Sequence, residues 1–124
     1  MTELYPYYWG AGNLVADADD VAVFYKALLG GKLVSGASLA EMKKLVMQTP
    51  QRGQGLGLVS GENRCGKYFG HDGSVPGYFS DALVMDSGRE VVFLVNSVSI
   101  EDTVANPKAQ KVLGQLVETA ACST

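Results

Sequence analysis

The stretch Gly70-His71-Asp72-Gly73-Ser74-Val75-Pro76-Gly77-Tyr78 sets an imidazole, a carboxylate and a hydroxyl within four positions among three glycines. His71 is the only histidine of the chain, so neither a histidine-built metal site nor a histidine triad can be assembled here. What remains is electrostatic and hydrogen-bonding work, with an imidazole lining a cleft beside groups that move protons. Gly73 would let a substrate approach the edge of a strand, and the backbone N–H of Ser74 could polarise a carbonyl. The plainer readings are a surface or capping histidine and a turn glycine. A stand-alone hydrolase using Ser74 as nucleophile and His71 as base is the weakest option. Residues three apart around a tight glycine turn align a hydroxyl with an imidazole poorly, and only Asp72 is at hand to orient the ring.

These residues must be held by the elements around them. Residues 78–85 and 90–97 flank Asp86-Ser87-Gly88-Arg89, a tight-turn signature, and predict an antiparallel hairpin. Val91-Val92-Phe93-Leu94-Val95 is apolar on both faces, which suits a central strand covered from two sides. Upstream, Gln54-Gly55-Leu56-Gly57-Leu58-Val59 reads as a short strand and Lys67-Tyr68-Phe69 leads into the histidine motif. Asp17 is a good N-cap, with Asp19 and Asp20 in the first turn. Capping explains this acidic group better than paired catalytic carboxylates do. Val21, Phe24, Tyr25 and Leu28 then form a helical face that Gly30-Gly31 ends.

Ser38-Leu39-Ala40-Glu41 predicts a capping box for a second helix, faced by Met42, Leu45 and Val46 and stopped by Thr49-Pro50. Asn106-Pro107 opens a C-terminal helix with Val112, Leu113, Leu116, Val117 and Ala120 inward. The sequence thus predicts an α+β fold: an antiparallel sheet of three to four strands, two N-terminal helices and a C-terminal helix. It forms a single or partial domain, with residues 1–53 as loop and helix and 54–124 as sheet and helix. The doubly apolar strand also predicts an apolar surface or unpaired edge for a partner, unless the helices cover it.

Composition excludes several classes. A chain of 124 residues with 47% hydrophobic and 19% charged content is too apolar for disorder. A net charge of −3 leaves no basic patch for nucleic acid. No apolar run approaches the ~18–20 residues of a membrane span. The opening Met-Thr-Glu-Leu-Tyr-Pro-Tyr-Tyr-Trp has neither the basic nor the apolar region of a signal peptide, and reads as a start within something larger. Cys65 and Cys122 fit no zinc spacing. They are either two buried thiols or one disulfide that pins the chain end to the loop before the histidine motif.

Taken together, the chain resembles the C-terminal part of class C-type serine hydrolases. This group contains class C β-lactamases, Streptomyces D-alanyl-D-alanine carboxypeptidases and related esterases. Ala16-Asp17-Ala18-Asp19-Asp20-Val21 resembles the family's Ser-Thr-x-x-Asp-Leu helix start. Phe24 to Leu33 resembles its Phe-x-x-Ala-Leu-x-x-Gly-x-Leu helix end. Gly55-Leu56-Gly57-Leu58 is similar to its Gly-Leu-Gly-Leu strand, and Gly70-His71-Asp72-Gly73-Ser74 to its Gly-His-Thr-Gly motif. Cys65 and Cys122 match the cysteine pair of the Streptomyces enzymes, which the resemblance implies are bridged and outside the cytoplasm.

The family's nucleophilic Ser-x-x-Lys is absent, since no serine has Lys three residues on. Its Tyr-x-Asn proton shuttle is absent too. Both motifs lie upstream of everything matched. The resemblance therefore implies the last third of a partial β-lactamase/transpeptidase-like fold, secreted or in the cell envelope and silent alone. A peptide, ester or β-lactam type substrate would be turned over through an acyl-enzyme in the whole, with no cofactor and no metal. His71, Gly73 and Ser74 are the expected catalytic residues, and Trp9, Asp72 and Ser74 the expected substrate-binding ones. Trp9 would wall the cleft, or simply anchor the N-terminal loop.

Two departures stand out. Asp72 replaces the family's Thr, and Val59 stands where the D-Ala-D-Ala peptidases carry Arg. Both point away from substrates with a free C-terminal carboxylate and towards esters, amides or altered lactams. The expected partner is the missing N-terminal segment or a second copy. In the competing reading the chain is a non-catalytic binding or structural module that self-associates through an exposed sheet edge.

Overall fold

A computed structural model of the chain describes residues 10–12, 14–75, 77–96 and 106–123. Two helices come first, α1 (Ala18–Leu29) and α2 (Gly36–Met42). Six strands follow: β1 (Val46–Thr49), β2 (Arg52–Gln54), β3 (Val59–Asn63), β4 (Gly66–Val75), β5 (Tyr78–Met85) and β6 (Glu90–Val95). A long helix, α3 (Pro107–Cys122), closes the described chain. The strands form one antiparallel sheet in sequential order, β1 to β6. The α+β architecture is as expected, but the sheet has six strands rather than three or four.

β1 comes from the segment expected to be helical, and the run 54–59 expected as one strand instead spans the bend between β2 and β3. α2 ends at Met42, and Val46 to Thr49 run as β1, exposed throughout. The sheet thus begins at Val46, upstream of the expected boundary at residue 54. The cap of α2 also shifts, because Ser35 rather than Ser38 is the N-cap and its Oγ accepts from the Ser38 N–H at 3.1 Å. At α1 the expectation holds: Asp17 Oδ1 accepts from the Asp20 N–H at 2.9 Å. α3 opens as expected with Asn106 capping Lys108 and Ala109.

Register sorts the side chains onto two faces. Tyr68, Gly70, Asp72 and Ser74 of β4 share a face with Met85, Leu83, Asp81 and Phe79 of β5, and with Val91, Phe93 and Val95 of β6. α3 packs here: Leu83, Met85, Val91 and Ala121 form a buried cluster flanked by Tyr68, Val117 and Ala120. Val112 and Leu116, expected inward, are each 54% exposed, because α3 turns Leu113, Val117 and Ala121 towards the sheet instead. α1 lies against β5 and β6, and its Lys26 reaches Glu90, on the opposite face from Val91, at 3.1 Å. β6 is therefore not central. It is the last strand of the sheet among the described residues, and it is apolar on both faces because a helix lies over each. Its outer edge has no strand beside it among the described residues.

Cys65 and Cys122 are bridged, with their Cα atoms 5.6 Å apart, which settles the alternatives left open by spacing. The bridge ties the β3–β4 turn to the end of α3. Beside it, Arg64 Nε lies 3.3 Å from Glu118.

Candidate active site

The histidine motif does not form a turn. His71 to Ser74 lie inside β4, and the reversal comes later, around Gly77, whose φ of 86° favours glycine. β3 pairs with β4 only as far as Val59 opposite Gly70. From His71 to Val75, β4 is paired on its β5 side alone among the described residues. Gly73 and Ser74 are exposed in this half-paired stretch. A Cβ on Gly73 would meet only Ser80 Oγ, at 3.1 Å. The strand thus offers a bare backbone edge, to which an extended ligand can bond as an added strand would.

Glycines shape the strand elsewhere as well. A side chain at Gly70 would run into the carbonyl of Ala82, and one at Gly61 would meet the ring of Tyr68. β4 therefore lies tightly against its neighbours up to the point where its outer edge comes free.

Alternation puts His71 and Ser74 on opposite faces of β4. The stand-alone hydrolase with Ser74 as nucleophile and His71 as base has no geometry to support it. His71 is half-buried, and its Nδ1 lies 2.5 Å from the Asp72 carbonyl oxygen. A carbonyl only accepts, so Nδ1 carries a proton and donates it to the Asp72 carbonyl oxygen.

Asp72 projects from the other face, and its Oδ1 is held by Nη2 of Arg52, from β2, at 2.5 Å. Directly across the β4–β5 ladder from Asp72 stands Asp81. Its carboxyl is pushed up to about 6, chiefly by burial and next by the neighbouring Asp72 charge. Arg52, the Ala82 N–H and His71 oppose the shift. Tyr68 and Tyr25 are both raised, by burial first. The Asp81 and Asp72 charges add to both shifts, and Arg52 works against the one at Tyr68.

Of the expected site residues, the structure brings His71, Asp72, Gly73 and Ser74 together on one strand. Trp9 lies outside the described residues. Sequence reasoning missed Arg52 and Asp81. Asp81 had a signal, as a charge on the same face as Leu83 and Phe79 within an apolar run. Arg52 had none, being 20 residues from its partner.

The Beta-lactamase family model matches residues 2–115. The chain belongs to the beta-lactamase family. Its 124 residues correspond to a C-terminal part of the penicillin-recognising serine hydrolase fold. A D-stereospecific amidohydrolase from Streptomyces sp. superposes with a TM-score of 0.68 at 31% identity, over 88% of this chain and 31% of that one. A D-amino acid amidase from Ochrobactrum anthropi SV3, complexed with D-phenylalanine, superposes with a TM-score of 0.62 at 23% identity, over 81% of this chain and 36% of that one. The second likeness is one of fold alone. This beta-lactamase family chain spans about a third of the length of each neighbour.

Proposed function

We infer that this chain is the substrate-aligning part of a serine hydrolase that cleaves amide, peptide or ester bonds through an acyl-enzyme. The observation that carries the reading is the half-paired stretch of β4: an exposed backbone at Gly73 and Ser74 beside a half-buried His71 whose Nδ1 is turned to the Asp72 carbonyl. A scissile carbonyl lying along this edge would place its oxygen against the Ser74 N–H. The nucleophile's own N–H would complete the oxyanion hole. Ser-x-x-Lys and the shuttle tyrosine would come from polypeptide outside these residues. His71 Nε2 would stand beside the shuttle as a hydrogen-bonding partner rather than as the general base. The Cys65–Cys122 bridge supports a secreted or envelope location, where such bonds persist.

Intact mass after incubation with a reactive β-lactam tests this. The chain alone is expected to keep its mass. Co-expression with the Streptomyces amidohydrolase truncated ahead of its matched third is expected to restore acylation. An adduct on any serine of the isolated chain would overturn the missing-nucleophile argument. The outer edge of β6, with no strand beside it among the described residues, favours a second reading, a self-associating module. A native mass that doubles with concentration, without acylation in the co-expressed pair, would favour it.

A further inference from the structure

The two sulfurs of the Cys65–Cys122 bridge have unequal surroundings. Cys65 lies in the β3–β4 turn and is exposed, whereas Cys122 is the last residue of α3 and half-buried. Gly66, next to Cys65, has open space where a side chain would stand. The open side of the bond is thus the Cys65 side. At the other end, Arg64 Nε donates to Cys122 Sγ at 3.4 Å and lies 3.3 Å from Glu118 Oε1. A disulfide sulfur is a weak acceptor, but a thiolate beside a cation is a strong one. Arg89, from the β5–β6 turn, donates from Nη1 to the Ala120 carbonyl at 3.4 Å. Two guanidiniums from two neighbouring turns therefore counter the negative end of α3, and Glu118 opposes them.

We propose that this bond is an exchange site for low-molecular-weight thiols, modified at Cys65 with Cys122 as the leaving group. The attacking thiolate forms a bond to Cys65 Sγ and the Cys65–Cys122 bond breaks. Its electron pair goes to Cys122 Sγ, where the Arg64 N–H meets it. One disulfide replaces another, so no oxidant or reductant is consumed. Such a step is faster when the departing thiolate is stabilised, and a neighbouring arginine does that. Ala121, buried among Leu83, Met85 and Val91, keeps Cys122 close. The return attack of Cys122 on Cys65 Sγ then expels the thiol and restores the bridge. While the mixed disulfide lasts, α3 is no longer tied to the β3–β4 turn.

The oxidised chain incubated with excess reduced glutathione, quenched in acid and mapped by peptic digestion and mass, tests this. Trapped glutathione is expected on Cys65, and the bridge is expected to disappear at a rate that rises linearly with glutathione. Arg64→Gln is expected to slow that loss roughly threefold. Glu118→Gln is expected to speed it by a similar factor, because the guanidinium then serves the sulfur alone. Both variants break the Arg64–Glu118 pair, so a purely structural role would move both rates the same way. Effects of one sign, or glutathione trapped on Cys122, overturn the proposal. A rate that levels off at the rate of unfolding, or a bridge left intact by excess glutathione, also overturns it.

Discussion

Asp81 is the residue whose energetics are most out of balance. Its folded-state value of about 6 lies above the 3.8 of a free side chain, so the fold prefers it protonated. The sign follows from linkage. The favourable contribution is full below pH 4 and is lost as pH rises through about 6, where a buried charge faces Asp72. Asp81→Asn keeps an acceptor for the Ala82 N–H and removes the charge. It is expected to stabilise the protein by about 1–3 kcal/mol at pH 8 and to make no difference near pH 4. Urea unfolding of both proteins across that range checks this, and a gain that persists at pH 4 would contradict it. The same residue shows how unevenly a site can be read from sequence. His71, Gly73 and Ser74 are legible because their types stand side by side in one motif. Arg52 is not, because only the register of β2, β3 and β4 brings it to Asp72.

At the scale of elements, the legible parts are those whose burial follows a simple period. The β5–β6 hairpin declares itself by two apolar runs around Asp86 to Arg89, and α3 by its Asn106-Pro107 start. β1 and β2 do not. β1 is exposed along its whole length, and β2 is three residues around a buried glycine, so neither shows the alternation that marks a half-buried strand. The motif was expected as a turn because three glycines cluster there. Gly70 has a different task, since a side chain would run into the Ala82 carbonyl on the neighbouring strand. Gly70→Ala is expected to cost about 2 kcal/mol or more, and to loosen the β4–β5 pairing on both sides of residue 70. Hydrogen exchange at His71 and Ala82, opposite each other in the β4–β5 ladder, would report that loosening, and unchanged protection there would count against the close approach.

For the molecule as a whole, the Cys65–Cys122 bridge joins positions 57 residues apart and ties α3 to the middle of the sheet. Replacing both cysteines by serine is expected to lower stability by about 2–4 kcal/mol. Because the bridge restrains α3 directly, exchange protection should fall first in that helix and only later in β4 and β5. A uniform loss in every element would show that the bridge acts on the unfolded chain alone. Among the described residues, the outer edge of β6 and the outward Val112 and Leu116 of α3 are some of the surfaces that this arrangement leaves open, with the outer edge of β4 from His71 to Val75.

The strictly sequential order of the strands has a kinetic consequence. Each strand pairs with the one that follows it, so every sheet contact closes only a short loop, and no strand waits for one distant in the chain. The motif strand can find its register on β5 as soon as the next few residues emerge during synthesis. By that order of events, the half-paired edge of β4 is in place before the last helix arrives to cover the opposite end of the sheet.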